Sequence, residues 1–138
     1  MATRKSTAAA IAGLDAMTAT IGTSGVLQVF EGTLPATCEL ADAGTLLSTH
    51  ALANPAFGGA VDGTDRATAT AGSIGDDVSA DATGTAQYFR MKTSAGGAVQ
   101  FQGPVTITGS GGDLTFDTVN FTAGGLVTIT SFLLHLDE

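Results

Sequence analysis

Five β-strands are predicted by the segments QYFRMK (87–92), AVQFQ (98–102), PVTIT (104–108), LTFDTVNF (114–121) and LVTITSFLLHL (126–136). Apolar and polar side chains alternate along most of them, as they do in a strand with one buried face. The segments are separated by TSAGG (93–97), Gly103, GSGGD (109–113) and TAGG (122–125). Because glycine accepts the positive φ of tight hairpin turns, this half of the chain is predicted to be a β-meander.

The last segment, 126–136, carries apolar side chains on both faces. A strand that is apolar on both sides is central in a core or is covered by a partner. Two sheets packed face to face would bury the alternating apolar sets of the other segments. The predicted fold class is therefore mainly β, an antiparallel β-sandwich of the jelly-roll-like kind.

The first half of the chain carries weaker strand patterns. VLQVFE (26–31) predicts a first strand and TLLSTHALA (45–53) a second, with a loop at 31–44 between them. Asn54-Pro55 then interrupts regular structure, because the residue before a proline is pushed away from helical angles. Large apolar side chains are scarce from Phe57 to Thr85, and within that span RATATAG (66–72) is interpreted as an edge strand.

A short N-terminal helix is predicted to begin at Ser6 or Thr7, either of which can cap it, and to end near Thr20. Ile11 and Leu14 share one face, but the apolar stripe is narrow. Residues 1–22 are therefore interpreted as a docking helix or arm, and residues 23–138 as a single β-sandwich domain. On this interpretation, deletion of residues 1–21 leaves a folded domain and weakens assembly.

Composition excludes several partners. The net charge of −8 comes with only five Lys and Arg residues, whereas nucleic-acid binding requires clustered cations. Arg4 and Lys5 lie near the terminus, and Arg90 and Lys92 form one isolated pair. No stretch approaches the ~18 apolar residues that cross a bilayer, so no membrane partner is expected. Charged residues make up 13% of the chain, and a surface of short side chains favours self-association.

No catalytic, cofactor-binding or metal site is predicted, so the chain is not expected to be an enzyme. His50 and His135 lack ligands at a recognisable spacing, and Ser24 does not lie in a nucleophile elbow. Cys38 has no basic neighbour in its loop and is interpreted as a buried or half-buried structural cysteine. Five aspartates lie within 62–81, at Asp62, Asp65, Asp76, Asp77 and Asp81. They are interpreted as solvated turn residues, and calcium binding by this acidic segment is left open.

Two blocks of the sequence carry a resemblance to a known family. The first is EGTLPATCELADAGTLLSTHALANPAFG (31–58). The second is SADATGTAQYFRMKTSAGGAVQFQGPV (79–105), followed by GGDLTFDTVNFTAGGLVTITSF (111–132). In these blocks the chain resembles small structural proteins of tailed bacteriophages. The resemblance covers roughly residues 26–133 and supplies no catalytic residues.

The resemblance implies a virion component made in the host cytoplasm, most simply a capsid decoration, cement or head-spike protein on the outer surface. Its expected partners are the major capsid protein, other virion subunits and further copies of itself, with strand edges and the N-terminal arm as contacts. The alternatives are a neck or tail component of the virion, or a bacterial surface adhesion module. A sugar-binding sandwich is disfavoured, since the chain has no Trp and one Tyr.

Overall fold

A computed structural model describes residues 3–138; Met1 and Ala2, the first residues of the predicted arm, lie outside the described residues. The helix α1 spans Thr7–Ala19. The strands are β1 (Val26–Glu31), β2 (Thr45–Ala51), β3 (Val61–Gly63), β4 (Arg66–Thr70), β5 (Gly84–Thr85), β6 (Tyr88–Lys92), β7 (Val99–Ile107), β8 (Leu114–Phe116), β9 (Asn120–Phe121) and β10 (Leu133–Asp137). The predicted fold class, mainly β and sandwich-like with a short N-terminal helix, is confirmed.

The strands form three sheets. The largest has the order β2-β1-β6-β7-β8, the second has the order β10-β4-β3, and β5 and β9 form a small pair. All pairs are antiparallel except β7 and β8, which run parallel. The inner face of the large sheet, one face of β4 and one face of α1 contribute to one continuous apolar core.

The helix α1 belongs to this core. Of the two residues predicted as possible caps, Ser6 is the cap, and its hydroxyl accepts a hydrogen bond from the Ala9 amide. Ala10 and Leu14 are almost completely buried, and Gly13 lies so close to β10 that a Cβ there would come within 3.1 Å of Leu136. The interpretation of residues 1–22 as a docking arm separate from the domain is therefore wrong for the helix. The exposed segment Thr3–Ser6 is the arm that remains.

The strand β4 is central in its sheet, so the prediction of an edge strand at 66–72 is wrong. It pairs with β10 on one side and β3 on the other. Ala67 and Ala69 are fully buried on the face that meets α1, because short side chains allow the helix to approach the sheet. The alternation of Ala and Thr thus reflects one covered face and one open face.

Gly103 does not form a turn. The two predicted strands 98–102 and 104–108 are one strand, β7, which passes through Gly103 opposite Phe89 of β6. A Cβ at Gly103 would lie 2.9 Å from Cε1 of the buried Phe89 ring and 2.5 Å from Oδ2 of Asp113. The close approach of Phe89 therefore requires a glycine at position 103. In the sequence, a glycine that allows a close approach looks the same as a glycine that forms a turn.

The segment 109–113 turns, but it does not close a hairpin. Gly109 and Gly111 have positive φ, at 90° and 84°. After this turn, β8 runs beside β7 in the same direction, and Leu114 lies opposite Val105 in a parallel pair. Parallel strands normally need a longer connection, which is why the sequence pattern suggested an antiparallel meander.

The two last predicted strands are shorter than expected. The segment 114–121 is divided between β8 and β9, which lie in different sheets. Of 126–136, only the end is part of β10, and Val127 makes a single bridge to Asp77. Ile129 and Phe132, before β10, are buried. The strand β10 itself lies at a sheet edge, and its residues alternate between exposed and half-buried. Of the two alternatives for this segment, a central position in the core is therefore wrong, and cover by a partner stays a prediction.

Candidate interaction groove

A groove of about 790 Å³ lies between β8, at one edge of the large sheet, and β10, at one edge of the three-stranded sheet. Its walls are residues 112–117 on one side and residues 128–135 on the other. The opposite edge of the large sheet is covered, since Asp81 donates to the carbonyl of Leu47 and Gly75 donates to that of Ala51 on β2. Among the described residues, the large sheet is therefore covered along its β2 edge and open along its β8 edge.

Backbone groups of β8 point into this opening. The amide of Thr108 donates to the carbonyl of Phe116, which places the Phe116 backbone groups on the β7 side. Adjacent residues of a strand direct their amide and carbonyl to opposite edges. The N–H and C=O of Thr115 therefore lie on the free edge.

The strand β10 presents a second free edge. The Ala71 amide donates to the carbonyl of Phe132. In this register the backbone groups of Phe132 and of every second residue after it point toward β4. The backbone groups of Leu133 and His135 therefore point away from β4. Unpaired strand edges of this kind are templates for pairing with another chain.

The floor of the groove is aromatic and apolar. Phe132 packs edge-on against Phe89, with ring centroids 5.2 Å apart, and against Phe57 at 6.3 Å. Leu114 and Ile129 are buried beside them, and both line the groove. An extended segment that entered here would therefore meet these largely buried apolar side chains at the base, the hydroxyl groups of Thr128, Thr130 and Ser131 beside them, and backbone hydrogen-bonding groups at the walls.

The rim of the groove is acidic. Asp113 and Asp117 are both exposed and both line it. Asp117 accepts a hydrogen bond of 3.3 Å from the Thr108 hydroxyl, and the Asp113 carboxylate lies over the backbone of Gly103. The carboxylates are thereby held near the open edge of β8.

The cations Arg90 and Lys92, one isolated pair in the sequence, are buried in the structure, at 1% and 5% exposed. Asp42, in the loop 32–44, accepts hydrogen bonds from both, at 2.9 Å from Arg90 and 2.6 Å from Lys92. Arg90 also donates to the carbonyls of Leu40 and Thr37. One sequence signal could have indicated this burial. Along β6, Tyr88, Arg90 and Lys92 alternate with Phe89 and Met91, so the first three side chains share one covered face.

The same loop is held at two further points. The Ala43 amide donates to the hydroxyl of Tyr88, which in turn donates to the Ala43 carbonyl. Gln102 donates to the carbonyl of Pro35 at 2.7 Å. Burial alone would raise the pKa of Asp42, but the hydrogen bonds and charges of Lys92 and Arg90 outweigh it and hold that pKa below 3.8. Burial likewise raises the pKa of the Tyr88 phenol above 10.0.

His50 lies in the interior. Its Nδ1–H donates to the Gly75 carbonyl at 2.8 Å, so the neutral ring accepts from the Ser48 hydroxyl through Nε2 at 3.0 Å. Burial lowers the pKa of His50 below 6.5, although the Gly75 carbonyl and the charges of Asp77 and Asp76 oppose the shift. Ser48 and His50 are both fully buried, so their contact is structural.

The other residues considered from the sequence lie apart from one another. His135 is exposed and contacts the Thr68 hydroxyl at 3.1 Å, and Ser24 is exposed. Cys38 is half-buried, as predicted, and burial together with Glu39 raises the pKa of its thiol above 9.0. Across residues 3–138, no three His, Cys, Asp or Glu side chains are grouped so that they could hold a metal ion.

Asp77 has a structural role within the acidic segment 62–81. Its carboxylate accepts hydrogen bonds from the amides of Thr49 and Ser79, at 2.9 and 3.0 Å. It therefore fastens this segment to β2. No helix within the described part of the chain is both long enough and apolar enough to span a membrane.

Comparison with known proteins gives no relative: no protein-family model, no curated protein and no solved structure matches this chain.

Proposed function

We propose that this chain is a structural protein of a bacteriophage particle, a capsid decoration or head-spike protein that binds capsid subunits and associates with itself. The observation that carries the proposal is the groove between β8 and β10. Two strand edges open onto one apolar floor there, and an added strand would satisfy the backbone groups of both the edge and itself.

Charge supports a place on the outside of the particle. The net charge of −8 disfavours contact with packaged DNA, and two of the five cations are buried. The resemblance of residues 31–58 and 79–105 to tailed-phage structural proteins supports the same class. The function is therefore one of binding and assembly, in which burial of apolar surface and strand pairing supply the affinity.

Copy number tests the place of the protein in the particle. Quantitative mass spectrometry of purified particles is expected to find the chain in numbers comparable to those of the major capsid protein. A far smaller number would favour the neck or tail alternative. Absence from the particle contradicts the proposal and favours an exported surface module.

A proline substitution tests the groove. Thr115→Pro removes the N–H at the free edge of β8, and proline is tolerated on strand edges. Asp62→Pro is the matched control, because Asp62 is exposed on β3 and its N–H lies at the other free edge of the three-stranded sheet. Sedimentation velocity over a range of concentrations should show weaker self-association for Thr115→Pro alone. Equal association of both variants and the unmodified chain would exclude the groove as the contact.

A further inference from the structure

We propose that the segment entering the groove is the N-terminal arm, Thr3–Ser6, of a second copy of this chain. The inference rests on the proposed self-association and names the partner of the same groove. It follows from the distribution of positive charge, from the conformation of the arm and from the position of the helix that carries it.

Positive charge available to a partner is concentrated in the arm. Arg90 and Lys92 are buried against Asp42, and Arg66 lies 4.0 Å from the carboxylate of Asp137. Arg4 and Lys5 are exposed, and neither has an ion-pair partner among residues 3–138. Association of two chains of charge −8 is opposed by repulsion unless opposite charges meet locally.

The groove supplies the opposite charges. Asp113 and Asp117 lie on its rim, beside the free backbone groups of Thr115. An arm lying along this edge would place Arg4 and Lys5 near two exposed carboxylates. Complementary charge fixes the register of such a contact and raises its association rate.

The arm is not committed to a strand or helix of its own chain, and its last residue, the helix cap, has extended backbone angles. Ser6 is extended, with φ −73° and ψ 159°, and residues 3–6 are exposed and free of proline. Extended residues can pair with an open edge through their backbone groups. The free backbone groups of Thr115 on β8 offer that pairing, and those of Leu133 and His135 lie on the other wall of the groove.

The arm of the same chain does not occupy its own groove. Residues 3–6 are not among those that line it, and α1 is anchored on β10 through the approach of Gly13 to Leu136. Each copy therefore presents one free arm and one open groove. Reciprocal exchange between two copies gives a closed dimer, and one-way exchange gives a ring or an open chain.

A charge exchange tests the electrostatic part of the contact. The double variant Arg4→Glu/Lys5→Glu should raise the dissociation constant of self-association about tenfold. Two exposed ion pairs across the contact would then change from attraction to repulsion. Adding Asp113→Lys/Asp117→Lys should restore association. The matched control adds Asp76→Lys/Asp81→Lys instead, which restores the same net charge at exposed aspartates outside the groove. Rescue by both pairs alike, or by neither, overturns the inference.

A disulfide experiment distinguishes two copies from one. In a Cys38→Ser background, a chain carrying only Lys5→Cys is mixed with a chain carrying only Thr115→Cys and oxidised. A mixed disulfide dimer, identified by peptide mass spectrometry, is the expected product. A monomer with an internal disulfide, formed when both cysteines are placed in one chain at high dilution, would mean that the arm folds back on its own groove and would overturn the inference.

The two proposals fail differently. If Thr115→Pro weakens self-association while the arm variants do not, the groove binds another segment and only the identity of the occupant is wrong. If the unmodified chain is monomeric at all concentrations and absent from particles, the proposed function fails first, and the arm has no role in assembly.

Discussion

The Lys92 ammonium lies 2.6 Å from the Asp42 carboxylate, and Lys92 is 5% exposed. Asp42 is the only ion-pair partner of Lys92 within residues 3–138, and it also receives Arg90. The loop 32–44 thus supplies one carboxylate that is shared by two cations buried by the large sheet. Loop attachment and strand stability are therefore coupled through one carboxylate.

Asp42→Asn is expected to lower the free energy of unfolding by about 2–3 kcal/mol, because it leaves two buried cations without a counter-charge. The loss is placed below the ~3–5 kcal/mol of a fully buried pair, since the Asp42 side chain is 38% exposed. Urea unfolding measures it. Glu39→Gln, in the same loop but exposed and unpaired among the described residues, should change stability by less than about 0.5 kcal/mol, and equal losses would contradict the role of Asp42.

Leu14→Ala should destabilise the fold by about 2–5 kcal/mol, because Leu14 is 1% exposed in the core and the cavity would remain. Met17→Ala on the open face of α1, where Met17 is 40% exposed, serves as the control and should cost far less. Thermal unfolding of both variants decides whether α1 is part of the domain. Deletion of residues 1–21 is accordingly expected to unfold the chain, and a stable truncated domain would show that the helix is dispensable.

Gly103→Ala should reduce stability by about 1–3 kcal/mol through overpacking. Asp113 is exposed and can swing away from the new methyl group, but the Phe89 ring is 2% exposed and would have to shift within its packing. Gly96→Ala is the matched control, since nothing lies within 4 Å of a Cβ at that position. Chemical denaturation of the two variants in parallel should separate them, and indistinguishable midpoints would refute the close approach at Gly103.

Acid is expected to weaken the fold in two ranges of pH. The folded state lowers the pKa of His50 below 6.5, so the unfolded chain binds the proton more readily and stability falls as the pH drops below about 6.5. Asp42 acts further down, where protonation of a carboxylate whose folded pKa lies below 3.8 removes the counter-charge of Lys92 and Arg90.

Equilibrium unfolding between pH 7.5 and pH 5 isolates the contribution of His50. His50→Gln should flatten the pH dependence in this window, because it removes the buried imidazole whose pKa the folded state lowers. A pH dependence that persists in His50→Gln would assign it to another group.

Local sequence patterns were sufficient to predict those elements whose structure depends on residues close to them in the chain. The strand 26–31 and the helix cap at Ser6 were predicted correctly, and 45–53 was predicted two residues too long. Each depends on alternation, capping or proline within a few residues. The exposed arm and the strand edges were also predicted as contacts, and that assignment remains a prediction.

Features that depend on distant contacts were missed. Gly103 resembles a turn until the Phe89 ring is placed beside it, and 109–113 resembles a hairpin until β8 is found parallel to β7. Arg90 is 48 residues from Asp42, so no short window could predict that the pair is buried. The groove itself arises because β8 and β10, from separate sheets, end beside each other.

The burial of Lys92 makes the chain its own reporter of unfolding. The sequence contains two lysines, of which Lys5 is exposed and Lys92 is enclosed. An amine-reactive reagent should therefore modify Lys5 in the native protein and reach Lys92 only when the loop 32–44 detaches or the sheet opens. In the unassociated chain the ratio of the two labelled peptides then reports opening of the fold, without any introduced label.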